Sequence, residues 1–449
     1  MWTVIKFGGS SQTKDGLNKI NIRTNELLKK ESKVLIVVSA VQSTTNNIVK
    51  CIEEKNIDIF SSISDVHLNL CSELDINDEA INIKLNELRD ILELIIDSSK
   101  INIRIKAKAI SYGEQLSSMI VKTFLHNKCE IPIKLIDSKE LIYTDSFLES
   151  DSYYLNAEYK CNKKKFFEYI KHEPYNVFIT QGFVARTNNY DTCLLSRGGS
   201  DTSASLLASM LDANSLEIWT DVNGIYSGDP RIVENTKLLK SLDYGTALQM
   251  ATMGAKVLHP YCIKPCEYKQ IPISIFNTYS EHNSVTHTII KNVGEYSGFI
   301  GVSKQTNTTV FTIDMVSMWR NYGVAAEILG IFRDCSVDIG IINDDTYTIM
   351  IGTNEINKIK LDKVSQQLKH KFKINVENSF STVSVISSDK SIYDSTSRDY
   401  LSKFLMITED YHIRHIHYGA NRKSVSFVLP DYQSNRFMNE LHSIIINPL

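Results

Sequence analysis

The chain has 449 residues, 43% of them hydrophobic and 22% charged, with a formal net charge of −3 at pH 7. This is ordinary globular usage, and at ~150 residues per domain it allows about three domains. Near-neutral charge argues against a general polyanion-binding surface, and no apolar run approaches the ~18 residues needed to span a bilayer.

The chain opens on MWTVIKFGGSS, an apolar strand that reaches Lys6 and passes at once into Gly8-Gly9-Ser10-Ser11. It has no basic segment followed by an apolar stretch, so no secretory signal is expected and the reading is cytoplasmic. Glycines at a strand end let backbone N–H groups approach an anion, and a helix start adds further donors and a favourable dipole. The lysine adds a full positive charge. By itself K-x-G-G suits a structural turn equally well, and it is not the phosphate loop in which lysine follows the glycines.

Further short apolar runs follow: VLIVVSA, IPIKLID, VFITQGFVA, LEIWTD and IPISIFN. Several are apolar on both faces, as strands buried inside an α/β sandwich are, and helical stretches such as IKAKAISYGEQLSSMIVKTFLH lie between them. Residues 138–172 read as surface excursions. The basic run NKKKFF within them suits a solvated helix face better than a nucleic-acid patch, and no nucleic-acid or membrane partner is expected. The eight cysteines are scattered; only Cys262 and Cys266 are close, and no second Cys or His pair completes a zinc spacing. Reduced thiols are expected, and no protein metal site.

Three more clusters stand out. LLSRGGSDTSASLLASML places Arg197-Gly198-Gly199-Ser200-Asp201 before an amphipathic helix, where arginine can grip a carboxylate at two points. Asp201 also suits a helix N-cap. IWTDVNGIYSGDPRIV ends a strand in a Gly/Asp/Pro-rich loop, where α/β domains hold ligands. In MATMGAKVLHP, Lys256 follows Gly254-Ala255. One glycine turn is unremarkable; two, each edged by a cation, favour a site for two anionic groups.

The pattern changes near residue 295. The runs TTVFTID, GVAAEILGIFRD, SVDIGII, YTIMIG, KLDKVSQQLKH and FKINVEN read strand, helix, strand, strand, helix, strand. STVSVIS, a helix near 394–408, HIRHIHYG, SVSFVLP and YQSNRFMNELHSII begin a second such unit that runs out before its last strand. Two βαββαβ units in tandem are an internal repeat.

Taken together, KFGGSS (6–11), SAVQSTTN (39–46), SYGEQLSS (111–118), SRGGSDTSASLLA (196–208), WTDVNGIYSGDPR (219–231) and GAKVLHP (254–260) resemble the motifs of the aspartokinases, in order. The tail resembles the paired ACT regulatory domains of that family. MWRNYGVAAEILGIF, SVDI and IHYGA are similar to the effector-binding part of the lysine-sensitive class. The resemblance implies an amino-acid-kinase (carbamate-kinase-like) αβα sandwich over 1–292, then two ferredoxin-like ACT domains over 299–379 and 380–449, with strand exchange between these two left open.

The resemblance also implies site residues. Lys6, Asp201 and Lys256 are the expected catalytic groups. Thr45, Glu114, Arg197, Gly198, Gly199 and Ser200 are expected to bind substrate, with Arg197 on its α-carboxylate and Glu114 on its ammonium. Lys6, Phe7, Gly8, Gly9, Ser10, Thr220, Asp221, Tyr226, Arg231, Lys256 and Val257 are expected to line the ATP site. Met318, Asn321, Gly323, Val324, Ala325, Asp338 and Asn343 are expected to hold an amino-acid effector, lysine first. Ser196 departs from the family's usual glycine, and Asn343 from the serine of the lysine-sensitive class.

The implied activity is ATP- and Mg²⁺-dependent phosphorylation of the L-aspartate side chain, in a homodimer or larger homo-oligomer built through the ACT units. Two alternatives stay open: a kinase of the same fold acting on another acid, and a catalytically silent ACT amino-acid sensor. The sensor should have lost Lys6, Asp201 or Lys256 first, and all three are present.

Overall fold

The computed structural model describes the chain apart from residues 130–131, 145–153, 155–159, 162, 171–173, 197, 256, 281–286, 297, 316–322, 346, 389–394, 419–422 and 447–449. Arg197, Lys256, Met318 and Asn321 therefore lie outside the described residues. The chain divides into two compact units: Met1–Ile225 with Leu238–Leu248 and Lys256–Glu295, and Tyr226–Lys237 with Gln249–Ala255 and Tyr296–Leu449.

The first unit is built on an eight-stranded sheet: β1 (Trp2–Phe7), β2 (Lys33–Val38), β3 (Ile133–Ile136), β4 (Val177–Gln181), β5 (Ser215–Thr220), β6 (Ser241–Asp243), β7 (Ile273–Asn277) and β8 (Thr288–Lys291). The spatial order is β6-β8-β7-β5-β1-β2-β4-β3, and every pair in the run from β7 to β3 is parallel. Val177–Gln181 is buried at every residue, as parallel strands covered on both faces are. Helices α1 (Lys14–Lys29), α2 (Thr44–Glu53), α3 (Ile59–Glu73), α4 (Tyr112–Cys129), α5 (Gly199–Met210) and α6 (Pro260–Lys269) lie between the strands in sequence.

Two expected elements differ. The run read as one helix from 105 is two, Ile103–Ile110 and Tyr112–Cys129. VFITQGFVA is likewise two strands, Val177–Gln181 and Val184–Arg186, because Phe183 turns the chain with a φ of +64°. The second of these belongs to a small four-stranded sheet.

The second unit carries a six-stranded antiparallel sheet of β9 (Phe299–Asp314), β10 (Ile341–Asp344), β11 (Thr348–Thr353), β12 (Lys373–Ser387), β13 (His415–Tyr418) and β14 (Ser424–Pro430), ordered β10-β11-β9-β12-β14-β13. TTVFTID proves to be the second half of the 16-residue β9, and FKINVEN and STVSVIS the two halves of the 15-residue β12. Along β9, residues 309–314 pair with β11, whereas 299–305 pair with the second half of β12. Two large cores lie along this sheet, with a small cluster of Val310, Ile341, Met350 and Val428 besides. Phe311, Ile328, Phe332, Ile351 and Leu368 gather in one; Val383, Phe404, Phe427, Phe437 and Leu441 gather in the other. Segment 226–237 is tied to the second core: Val233 packs in it, Val302 N donates to Ser227 O at 2.8 Å, and Ser227 Oγ lies 2.8 Å from Nε2 of buried His442.

α3 carries a fully buried His67. Its Nδ1 lies 2.7 Å from Ile63 O and Nε2 has no partner among the described residues, so the ring is neutral with the proton on Nδ1. Burial lowers its pKa below the ordinary 6.5. From pH 6.5 down to that lowered value the unfolded chain binds the extra proton and the folded chain does not, so stability is lost on acidification. The urea midpoint is expected to fall between pH 7.5 and 5.5, and to fall less in His67→Phe. Equal slopes in both proteins would contradict this.

Candidate active site

Register places five strand ends at one level. Phe7 lies opposite both Val38 and Trp219, Val38 opposite Gln181, and Thr220 opposite Asn277. Chain order reverses across β1, with β2 on one side and β5 on the other, so the crevice at the carboxyl ends of β1 and β5 is where an open α/β sheet holds ligands. The turns that leave β1, β2 and β5 carry three of the predicted motifs: KFGGSS, SAVQSTTN and WTDVNGIYSGDPR.

The first turn, Gly8–Ser11, leaves β1. Gly8 N donates to Trp219 O at 3.1 Å, and a side chain there would put its Cβ 2.9 Å from that oxygen. A Cβ at Gly9 would lie 2.3 Å from Ala40 O, so only glycine fits. Gly9 and Ser10 N–H groups have no acceptor among the described residues and are left to bind an anion.

The second turn leads into α5. Gly198 has a φ of +70° and is the N-cap, which moves Asp201 from the suggested cap position into the first helical turn. Packing is again tight: a Cβ at Gly198 would lie 2.3 Å from the His259 side chain, and one at Gly199 would lie 2.5 Å from Phe183. The first-turn N–H groups of α5 have no intrahelical partner. Asp201 Oδ1 sits 2.9 Å from Lys6 Nζ, both side chains about 15% exposed or less, so one ion pair joins the two glycine turns.

Ala40, the neighbour of Gly9, ties in the third motif. Its N–H donates to Glu114 Oε1 at 3.3 Å, and Glu114 Oε2 is buried with no partner among the described residues. Glu114 is 3% exposed, and burial pushes its pKa up to about 8. Gly113 lets the start of α4 approach α2, since a Cβ there would lie 2.8 Å from Ala40 Cβ and 3.5 Å from Thr45 Oγ1. Thr45 is thereby placed beside Gly113, the residue before Glu114.

Thr220 and Asp221 close β5, with Thr220 Oγ1 donating to Asp221 Oδ1 at 3.2 Å. Val257 belongs to the same unit. Tyr226 and Arg231 are grouped with the second unit, where the Arg231 guanidinium bonds to Asp229 at 2.9 and 2.7 Å. Of the expected effector residues, Gly323 (φ +85°) caps the helix Val324–Asp334 that begins with Val324 and Ala325, Asp338 O accepts from Thr353 Oγ1, and Asn343 is on β10.

Sequence reading missed two supporting amides. Gln12 receives a bond from Ser117 Oγ at 2.6 Å and donates to Ser39 O; Gln181 donates to Ser118 Oγ at 2.8 Å and accepts from Ser138 N at 2.9 Å. The small serines of SYGEQLSS were the available signal, because buried hydroxyls require partners.

Comparison with known proteins bears on this site. The model of the amino acid kinase family matches residues 1–277. The chain is 26% identical to aspartokinase 1, chloroplastic, of Arabidopsis thaliana, covering 98% of this chain and 79% of that protein. It is 25% identical to lysine-sensitive aspartokinase 3 of Escherichia coli, covering 98% of both. Its fold matches the crystal structure of E. coli aspartokinase III in complex with aspartate and ADP (R-state) with a TM-score of 0.85 at 24% identity, over all of both chains.

Proposed function

The chain belongs to the amino acid kinase family, and from that premise we propose that it is an aspartate kinase, transferring the γ-phosphoryl group of ATP to the side-chain carboxylate of L-aspartate. The observation that carries this reading is the pair of glycine turns joined by the Lys6–Asp201 ion pair at the ends of β1 and β5. The relatives named above supply the substrate class.

The chemistry suits the residues. A carboxylate with a pKa near ~3.9 is already ionised at neutral pH, so no general base is required to make the nucleophile. One oxygen of the acid bonds to the γ-phosphorus as the bond to the β-phosphate bridging oxygen breaks, giving an acyl phosphate and ADP. The obstacle is charge: two unit charges 4 Å apart repel by ~4 kcal/mol at an effective dielectric of ~20. Lys6, Lys256 and the free N–H groups of Gly9 and Ser10 offset that repulsion and stabilise the in-line transition state. Asp201 would be the outer-shell protein contact of a Mg²⁺ ion carried mainly by phosphate oxygens and water, which would add further charge neutralisation.

Arg197 grips the α-carboxylate in this reading, with Gly198, Gly199 and Ser200 closing round it. Glu114 and Thr45 receive the ammonium end. Phe7, Thr220, Asp221, Tyr226, Arg231 and Val257 line the nucleotide. A catalytic domain over 1–292 precedes two ACT domains over 299–379 and 380–449, the first half of β9 completing the second of these. Lysine binding near Gly323–Ala325, Asp338 and Asn343, with Met318 and Asn321, biases the kinase between two states. The enzyme is cytoplasmic and a homodimer or larger through the ACT units. Among the described residues no helix is long and apolar enough to cross a membrane.

The test is acyl-phosphate formation, trapped with hydroxylamine, across aspartate, glutamate, N-acetylglutamate and carbamate. Product is expected with aspartate alone, and lysine is expected to suppress it. ADP release that ignores aspartate would refute the activity; aspartate-dependent release that lysine, threonine and methionine all leave unchanged would remove the feedback.

A further inference from the structure

The turn at the end of β7, Asn277-Thr278-Tyr279-Ser280, belongs to none of the six motifs, yet three of its four residues bond to two of them. On the nucleotide side, Thr278 N donates to Thr220 O at 2.8 Å and Asn277 Nδ2 donates to Asn223 Oδ1 at 2.9 Å. On the side of the first glycine turn, Thr278 Oγ1 donates to Ser11 Oγ at 2.6 Å and the Tyr279 hydroxyl donates to Ser10 O. Thr278 and Ser11 are fully buried. Behind them, Lys19 Nζ of α1 donates to Ser280 O at 2.5 Å, and Gly16 of α1 comes so close that a Cβ would lie 1.8 Å from Ser11 O and 3.0 Å from Thr278 Cγ2. The turn also braces itself, because Asn277 Oδ1 accepts from Tyr279 N at 2.8 Å.

We propose that this turn is a clasp, and that Thr278 and Tyr279 are positioning residues for phosphoryl transfer, holding the Gly8–Ser11 turn in fixed register with the Thr220–Asn223 loop. The proposal rests on the aspartate kinase reading. Neither side chain is placed on the reacting atoms. Tyr279 holds the carbonyl of Ser10 and so fixes the plane of the peptide next to the two free N–H groups. Thr278 holds Ser11 with its hydroxyl and Thr220 with its amide, so one residue sets the spacing between phosphate donors and nucleotide loop. Catalysis by charge neutralisation depends on that spacing, because donors displaced by about 1 Å can cost ~100-fold in rate.

The variants are Thr278→Val, which keeps shape and loses the hydroxyl, Thr278→Ser, which restores it, and Tyr279→Phe on a half-exposed ring. In the aspartate assay Thr278→Val is expected to lower kcat about tenfold or more and Tyr279→Phe about threefold or more, with KM for aspartate and the melting temperature little changed. Thr278→Ser is expected to stay within about twofold of the parent. Parental kcat in Thr278→Val, or a loss in Thr278→Ser equal to that in Thr278→Val, overturns the clasp. If the parent protein itself phosphorylates no aspartate, the functional reading falls separately. ADP binding by calorimetry then decides the clasp: weakening in Thr278→Val that Thr278→Ser reverses upholds it, and equal affinity in all three proteins overturns it.

Discussion

Lys6→Met is expected to yield a folded protein whose kcat for phosphoryl transfer is lower by about a thousandfold or more, or ~4 kcal/mol of lost transition-state stabilisation. Methionine keeps much of the stem and removes the charge. Lys6 Nζ sits over the first glycine turn, 3.3 Å from where a Gly8 Cβ would stand, and 2.9 Å from Asp201. No other described cation is paired across the two glycine turns. The substitution also leaves Asp201 without its ion-pair partner at 15% exposure, which destabilises the fold modestly. Adding Asp201→Asn to Lys6→Met removes the unpaired charge, and stability is expected to recover. Near-parental turnover in Lys6→Met would show that this turn does not hold the transferring phosphate.

Glu114→Gln carries the second large effect, a rise in KM for aspartate of about 100-fold, as expected when one partner of a buried charge pair is lost. Glutamine preserves size and the acceptor for Ala40 N, so the site keeps its shape. Because burial raises the Glu114 pKa to about 8, the carboxyl is protonated in the free protein at neutral pH and must give up that proton to receive an ammonium group. Aspartate affinity in the parent is therefore expected to rise as pH is raised from 6 to 8, by at most ~10-fold per unit, and then level off. The pH dependence should vanish in Glu114→Gln.

Stability supplies an independent readout of the same residue. A carboxyl whose folded pKa is raised stabilises the fold below its unfolded pKa of 4.5, and that contribution is lost as pH rises through about 8. Glu114→Gln should thus be more stable than the parent at pH 9, measured by urea denaturation without substrate. A variant less stable at that pH would place Glu114 in the core for packing and not for ligand.

The strands of the first unit were legible because burial on both faces leaves runs such as VLIVVSA almost wholly apolar. Both glycine turns were legible for a steric reason, since Ala40 O and the His259 side chain leave no room for a Cβ. Strand continuity in the second unit was not. Asn307 and Ser379 take φ values of +59° and +66° in the middle of β9 and β12, and polar residues there read as loops between separate strands. Phe183 shows the converse: the glycine beside it gave no sign that the aromatic residue itself takes the left-handed turn. The clasp was hidden by distance. N-T-Y-S has the composition of any exposed turn, and its partners Ser10 and Ser11 stand 269 and 267 positions earlier in the chain.

The central claim is that backbone amides and a few fixed cations at two glycine turns neutralise two anionic reactants so that they can meet. A crystal structure of the protein with ADP and aspartate tests it most directly. The account predicts the nucleotide's terminal phosphate against Gly8–Ser10 and within reach of Lys6, with the aspartate side-chain carboxylate facing it from the Gly198–Ser200 turn. Nucleotide and acid bound away from both turns would contradict it.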